Sequence, residues 1–262
     1  MRKIEKNSFI KLFSDSLKEK VANIYEKIEL VKEIEYFIQL EEFYSGEVWK
    51  KLLKYENELG VKIILDNYIK NGERKNIIIA PIDLEMNYND YFDLNMIKIE
   101  NLSKFKKLDH RNYLGNILSY GIKREKISDI VVKDGNAYFV TFSDIADYLI
   151  NNINSIDKNN IDIKKIDNNE VIEIQLEKIT GIVSSNRLDN IVSLLTKLSR
   201  NDAVKLIEKN LVSVDYEIIN KKNKSLSENS ILTIRGYGKY IYNGIIGSTK
   251  KDRMRIEVMK FI

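Results

Sequence analysis

The chain of 262 residues has no cysteine, a single histidine and a single proline. Without thiols there is no disulfide, thiolate metal site, iron–sulfur cluster or cysteine nucleophile. His110 cannot build a multi-histidine zinc site, and a serine–histidine mechanism would have to rest on it alone. Neither GxxxxGK(S/T) nor GxGxxG occurs, so the usual phosphate cradles are missing and no cofactor or metal is expected. No apolar run approaches the ~18 residues of a membrane span, and mean hydropathy is −0.32. The opening MRKIEKNSFIKLFSDSLKEK is too charged for a signal-peptide apolar segment, so a cytoplasmic, membrane-free location is expected.

What is present is 44% hydrophobic and 31% charged, enough for one large domain or two to three small ones. The 28 asparagines lie largely in Ile/Lys/Asn-rich stretches. Apolar periodicity persists through these stretches, which reads as composition bias and not as a prion-like tract. Charge is unevenly spread. Residues 181–262 hold 15 Lys/Arg against 8 Asp/Glu, whereas the other 180 residues hold 28 against 31. A basic C-terminal third on a slightly acidic body is the electrostatic footprint of a polyanion-binding module, or simply a solvated Lys-rich surface.

Residues 1–59 read as helical. Phe9, Leu12, Phe13, Leu17, Val21, Ile24, Ile28 and Val31 recur at steps of three and four, and Gly60 offers a stop. The aromatics Tyr36, Phe37, Phe43, Tyr44 and Trp49 read as core. From residue 61 the pattern becomes mixed. VKIIL and NIIIAPI are short buried strands around an Asn71-Gly72 turn, and Leu94–Leu102 is extended. A helix capped by Asp109 is predicted over His110–Tyr120. Strands 130–132 and 137–142 turn at Asp134-Gly135, and Ser143 or Asp144 caps a helix to Asn152. The result is a β-β-α-β-β-α sandwich over about 73–165, then a polar linker, Asn151–Asn169, with at most one strand inside it. The last third reads as a strand (171–179), helices 185–198 and 199–210, and strands 211–219, 231–241 and 253–261.

The sharpest constellation is SSNRLDNIVSLLTKLSRNDAVKLIEKNLVSVDYEI followed by SILTIRGYGKYI. Arg187 opens the first helix, Ser199 caps the second and Arg200 begins it. Lys205 and Lys209 share a helical face. Arg235 and Lys239 flank Gly236-Tyr237-Gly238, where small residues allow close backbone approach. Such a cluster has the scale of a phosphate-tracking surface.

This segment resembles the S-four RNA-binding domain, named after ribosomal small-subunit protein four. The resemblance is carried by Arg187-Leu188-Asp189, Leu198-Ser199-Arg200, Ala203, Ile207, Val212, Val214 and Arg235-Gly236. It implies RNA contacts at Arg187, Ser199, Arg200, Lys205, Lys209, Arg235, Gly236, Tyr237 and Lys239. Asp215 stands where asparagine is usual and Glu228-Asn229 where Gly-Asp is usual, which weakens local turn chemistry. The RLD triplet also matches the catalytic aspartate loop of pseudouridine synthases. The Leu-Ser-Arg block on a paired helix fits the binding domain instead, with Asp189 as a structural or arginine-orienting carboxylate.

Upstream, Asn71-Gly72-Glu73-Arg74-Lys75, then LDHRNYLG (108–115) and GIKREKISDI (121–130), resemble the YlmH family of bacterial proteins. Two departures are visible: YFIQLEEF replaces an FLDPRE-like motif, and Ser128 replaces a glycine. The resemblance implies an α+β chain of three parts. These are an N-terminal mainly helical domain (1–70), a central RRM-like RNA-binding α/β sandwich (71–165) and a C-terminal S-four domain of a helix pair plus small β-sheet (171–262, core about 182–245). It further implies a non-enzymatic protein binding structured rRNA or tRNA, with the large ribosomal subunit as partner in stalled-translation quality control. A link to cell division is an association only. Arg74, His110, Arg111, Lys123 and Arg124 form a possible second RNA patch; helix capping and dipole complementation explain the same residues without RNA. An RNA-modifying enzyme and a division-linked protein adaptor are the alternatives.

Overall fold

The computed structural model of the chain describes residues 3–103, 107–167 and 171–262. Their packing divides into two compact units, Met1–Ile174 and Gln175–Ile262. Both mix helices and sheet, as the α+β expectation required.

Unit 1 begins with α1 (Lys6–Ile10), α2 (Lys18–Ile34), β1 (Ile38–Gln39), α3 (Gly46–Lys54), α4 (Glu56–Leu59), β2 (Lys62–Leu65), β3 (Ile69–Lys70) and β4 (Ile77–Ala80). The i, i+3, i+4 stripe of α2 buries Val21, Ile24, Tyr25, Ile28 and Val31, and Gly60 ends α4 in a left-handed conformation (φ 70°). The N-terminal region is not helical throughout, because β1, β4 and β2 form a three-stranded antiparallel sheet. The continuous apolar run in β4 is explained by burial on both faces. Ile77 and Ile79 face the helices, while Ile78 and Ala80 face the opposite way, with Phe43. Of the aromatic stripe, Phe43 and Tyr44 are core, whereas Tyr36 is 49% exposed.

The chain continues through β5 (Leu94–Asn101), α5 (His110–Ser119), β6 (Val131–Lys133), β7 (Asn136–Phe142), α6 (Ser143–Asn152), β8 (Ser155–Ile156), β9 (Asn159–Ile166) and β10 (Ile172–Glu173). The second sheet has the order β6-β7-β5-β9-β8. Two corrections follow. The strand at 77–80 does not belong to this sheet, and the missing strand is β9, inside what reads as a linker. The sandwich therefore runs β-α-β-β-α-β, the split βαβ arrangement. Asparagine-rich sequence disguises β9, yet Ile161 and Ile163 alternate into the core, and Asp157-Lys158 make a tight turn with φ 48° and 69°. Asn168 and Asn169 of the expected linker lie outside the described residues. Asp109 caps α5 as expected, in a full capping box with Asn112. Neither Ser143 nor Asp144 caps α6: the Ser143 hydroxyl accepts from Asn95 Nδ2, Asp144 Oδ1 accepts the amide of its neighbour Ile145, and Phe142 occupies the N-cap position.

One face of this second sheet packs on α5 and α6 through Ile97, Ile99, Ala137 and Phe139. The other, bearing Leu94, Met96 and Val140, packs against β4 and Phe43, with Phe43 and Phe142 in edge contact at 5.6 Å. RRM domains stack bases on the open face of their sheet. Here that face is covered within the unit, and Phe139 is fully buried on the helix side.

Unit 2 comprises β11 (Leu176–Val183), α7 (Leu188–Thr196), α8 (Arg200–Glu208), β12 (Val212–Val214), β13 (Glu217–Ile218), β14 (Ser230–Ile234), β15 (Gly238–Ser248) and β16 (Met254–Phe261). Its sheet is antiparallel in the order β11-β16-β15-β14-β12-β13. The stretch 171–179 is two strands, not one, since β10 pairs in parallel with β3 of unit 1. Likewise 211–219 and 231–241 are hairpins. Asp215 and Tyr216 turn with φ 49° and 70°, and Gly236 with φ 87°. The substitution at Asp215 does not weaken its turn: the left-handed conformation suits aspartate, and its Oδ1 accepts the Ile231 amide at 2.9 Å. At Gly181 a Cβ would collide with a Leu194 methyl, so the missing side chain is what lets α7 seat on β11.

Candidate nucleic-acid interface

Local sequence sets the helix pair. Lys197 closes α7 in a left-handed conformation (φ 59°), Ser193 Oγ donates to the Leu198 carbonyl, and Ser199 Oγ accepts the Asp202 amide to cap α8. This tight turn brings the start of α8 beside the first turn of α7. Asp189, 1% exposed, sits there between two arginines. Arg200 Nε and Nη2 donate to Asp189 Oδ2 at 3.0 and 2.7 Å, and Arg187 Nε and Nη2 donate to Oδ1 and Oδ2 at 3.2 and 3.1 Å. Burial would raise this carboxyl, but hydrogen bonds from Arg200 and Arg187 outweigh it and hold the group below the ordinary carboxylate value. The arginine side chains remain 37% and 54% exposed. Each guanidinium has five donor hydrogens, so each keeps several pointed at solvent.

The remaining residues named from sequence separate into groups. Lys205 pairs with Asp202 at 2.9 Å on its own helix, and the Ser199 hydroxyl also donates to Asp202, so Ser199 is engaged as donor and acceptor. Helical geometry puts Lys205 roughly 140° around α8 from Arg200, so these two do not share a face. Exposed Lys209 ends α8. It neighbours the Arg235 turn, because the Arg235 amide donates to the carbonyl of Leu211. The helix pair thus carries cations at both ends of α8, separated by about 13 Å at 1.5 Å per residue. Tyr237 is exposed at the turn. Lys239 does not join either group. It alternates with core residue Tyr240 and lies on the opposite face of the sheet, 4.8 Å from the centre of the Tyr216 ring.

In unit 1, Arg74, His110 and Arg124 cluster around Asp129. Both arginines point inward. Arg124 Nη1 donates to the Ile127 and Ser128 carbonyls at 2.8 Å each, and Arg74 Nη2 donates to the Phe43 carbonyl at 2.9 Å. Asp129 accepts the Glu73 and Arg74 amides. Burial, and next the Arg74 charge, push Arg124 down to about 10. Partial burial and Arg124 hold His110 below the ordinary histidine value. Exposed Arg111 and Lys123 form no ion pair among the described residues. Ser128 is a structural residue: its hydroxyl accepts the Val140 amide at 2.8 Å.

A further basic group, Lys250, Lys251, Arg253 and Arg255, follows the S-four core and lies outside its motifs. The charge run KKDRMR was its only sequence signal. Among the described residues no helix is long and apolar enough to cross a membrane, and no cluster of acidic residues and histidine is arranged to hold a metal ion.

Comparison with known proteins gives three findings. A family model described as "Putative RNA-binding domain in YlmH" matches residues 88–170. The "Ribosome-associated protein quality control protein P2" of Bacillus subtilis (strain 168) is 30% identical over 189 residues, 71% of this chain and 72% of that relative. The solved structure of the "Cell division protein ylmH from Streptococcus pneumoniae" aligns with a TM-score of 0.53 at 16% identity, covering 61% of this chain and 96% of that one. At that identity the structural likeness speaks for the fold.

Proposed function

The chain belongs to the YlmH family, and from that premise we propose that it is a non-enzymatic RNA-binding protein of the translation apparatus. Its helix pair in unit 2 grips structured RNA by shape and phosphate contacts. The carrying observation is the Asp189 clamp, which fixes Arg187 and Arg200 against a buried carboxylate while leaving donors of both exposed. Preorganised guanidinium groups lose little freedom on meeting a phosphate and present paired donors to it. Lys209 and the Arg235 turn supply a second grip at the far end of α8.

The RNA is proposed to be ribosomal or transfer RNA on the large ribosomal subunit, with action on stalled translation in the cytoplasm. The name of the Bacillus relative supports that setting. A division of labour among residues 1–70, 71–165 and 171–262 is part of the same proposal. In the central part, Arg111, Lys123 and His110 are the RNA-facing candidates, and Arg74 and Arg124 position the loops around them. The test is sedimentation of cell lysate through sucrose gradients at low and high salt, with sequencing of RNA crosslinked to the protein. Cosedimentation with the large subunit that is lost at high salt and in Arg187→Gln/Arg200→Gln is the expected result. A protein that stays at the top of the gradient with no enriched RNA, or one that turns over rRNA or tRNA, would overturn the proposal.

A further inference from the structure

Pairing of β15 with β14 ends at Tyr242, and β15 then continues as a sheet edge for six residues, 243–248, backed by β16. Bulges at Asn243 and Ile246 twist this ribbon. Its tip is a formed turn: the Thr249 amide donates to the Arg253 carbonyl at 2.8 Å, the Asp252 amide to the Thr249 carbonyl at 3.0 Å, and Asp252 is left-handed at φ 52°. Lys250, Lys251, Arg253 and Arg255 are all exposed, and none forms an ion pair among the described residues. Ile245 and Ile246 beside them are 46% and 50% exposed. Gly244 has an internal reason, since a Cβ would lie 2.7 Å from Glu228. Gly247, opposite Arg255, leaves open space, since a Cβ there would meet nothing within 4 Å, and its φ of 157° is one that glycine adopts without strain.

We infer that this ribbon is a second RNA contact, separate from the helix pair, which lies along the backbone of double-stranded RNA. The inference rests on the proposed RNA-binding function and adds a site to it. Three unpaired cations on a preformed turn and a fourth, Arg255, on the adjoining strand suit the phosphates of a duplex. Exposed isoleucines and a bare glycine backbone suit close approach to riboses. The ribbon carries no aromatic side chain between residues 243 and 257, so it lacks the stacking platform by which single strands are held. An exposed apolar edge also invites strand pairing with a second copy, but like charges at the tip oppose that.

The test measures binding of the full chain to a short blunt RNA duplex and to the matching single strand. If Lys250→Gln/Lys251→Gln/Arg253→Gln removes three phosphate contacts, the wild type should lose about 40-fold more affinity than the variant between about 50 and 200 mM salt. The charge-conserving Lys250→Arg/Lys251→Arg/Arg253→Lys should keep the wild-type slope, which separates lost charge from lost structure. Equal slopes in wild type and the Gln variant, alongside weakened binding by Arg200→Gln, would overturn the ribbon site and leave the helix pair standing. A wild type that binds no RNA would overturn both. Preference for the single strand, or self-association abolished by Ile245→Lys with RNA affinity unchanged, would overturn the ribbon inference.

Discussion

Arg124 in unit 1 and Arg200 in unit 2 both sit in basic motifs near a carboxylate, yet they face opposite ways. Arg124 donates to two main-chain carbonyls, of Ile127 and Ser128, residues that are themselves buried, and its charge is partly desolvated. Arg200 donates along one edge to buried Asp189 and leaves the other edge in solvent. In unit 1 the buried groups in need of a partner are carbonyls, which draw the guanidinium in. In unit 2 the buried group is a carboxylate shared by two arginines, which anchors them at the surface. A buried acceptor, more than the arginine itself, decides whether a basic motif braces the fold or meets a partner.

That contrast predicts different phenotypes for the same kind of substitution. Trp49, the one tryptophan, lies in unit 1, so its fluorescence reports that unit alone. The largest effect is expected for Arg124→Met, which removes two charge-assisted hydrogen bonds and strands two carbonyls, at a cost of about 3–5 kcal/mol. Urea unfolding followed at Trp49 should shift accordingly; a midpoint like wild type would break the comparison.

The next effect is pH dependence. Burial raises Asp66 to about 6 despite Lys75 and the amides of Asn76 and Tyr68. A raised acid holds its proton longer folded than unfolded. Unit 1 should therefore be most stable below pH 4 with respect to this group, and should lose about 3 kcal/mol in all as pH rises through 6, about two-thirds of it between pH 4 and 6. Asp66→Asn should flatten that slope in Trp49-detected melts between pH 4 and 6. Asp189 has the opposite sign. Its depressed carboxyl stabilises unit 2 at neutral pH, and the contribution is lost as pH falls below the ordinary carboxylate range.

Asp189→Asn should cost unit 2 about 2 kcal/mol, less than a fully buried pair because both arginines are half exposed. It should also weaken RNA binding by freeing the guanidinium groups. Circular dichroism melts and RNA titrations check the two halves of this expectation, and intact affinity would remove the clamp's role. Smallest in stability is Arg200→Gln, at about 1 kcal/mol or less, with a salt slope for RNA lowered by about one.

Much of the architecture was legible from local signals. The Asp109 cap, the Asp134-Gly135 turn and the Ser199 cap need only neighbours in sequence, and each is present in the fold. The misreadings came from long-range choices. NIIIA has the pattern of a doubly buried strand but nothing that names its partners, so its pattern alone does not tell the β1-β4-β2 sheet from the central one. Asparagines hid β9, because its inward isoleucines alternate with polar residues that resemble a linker. The candidate site divides likewise. RLD and LSR place Arg187, Asp189 and Arg200 on adjoining helix starts, so the clamp could be read from spacing. That Arg74 and Arg124 point inward depends on which carbonyls a distant fold buries, and no local pattern encodes it.

The central claim is that the clamped arginines of unit 2 carry the RNA contact. Its most direct test is the salt dependence of binding between the full chain and purified large ribosomal subunits, for wild type, Arg187→Gln/Arg200→Gln and Arg111→Gln/Lys123→Gln. The account predicts that the first pair lowers the slope of log affinity against log salt by about two, and by more than the second pair does. A slope unchanged by Arg187→Gln/Arg200→Gln would contradict it.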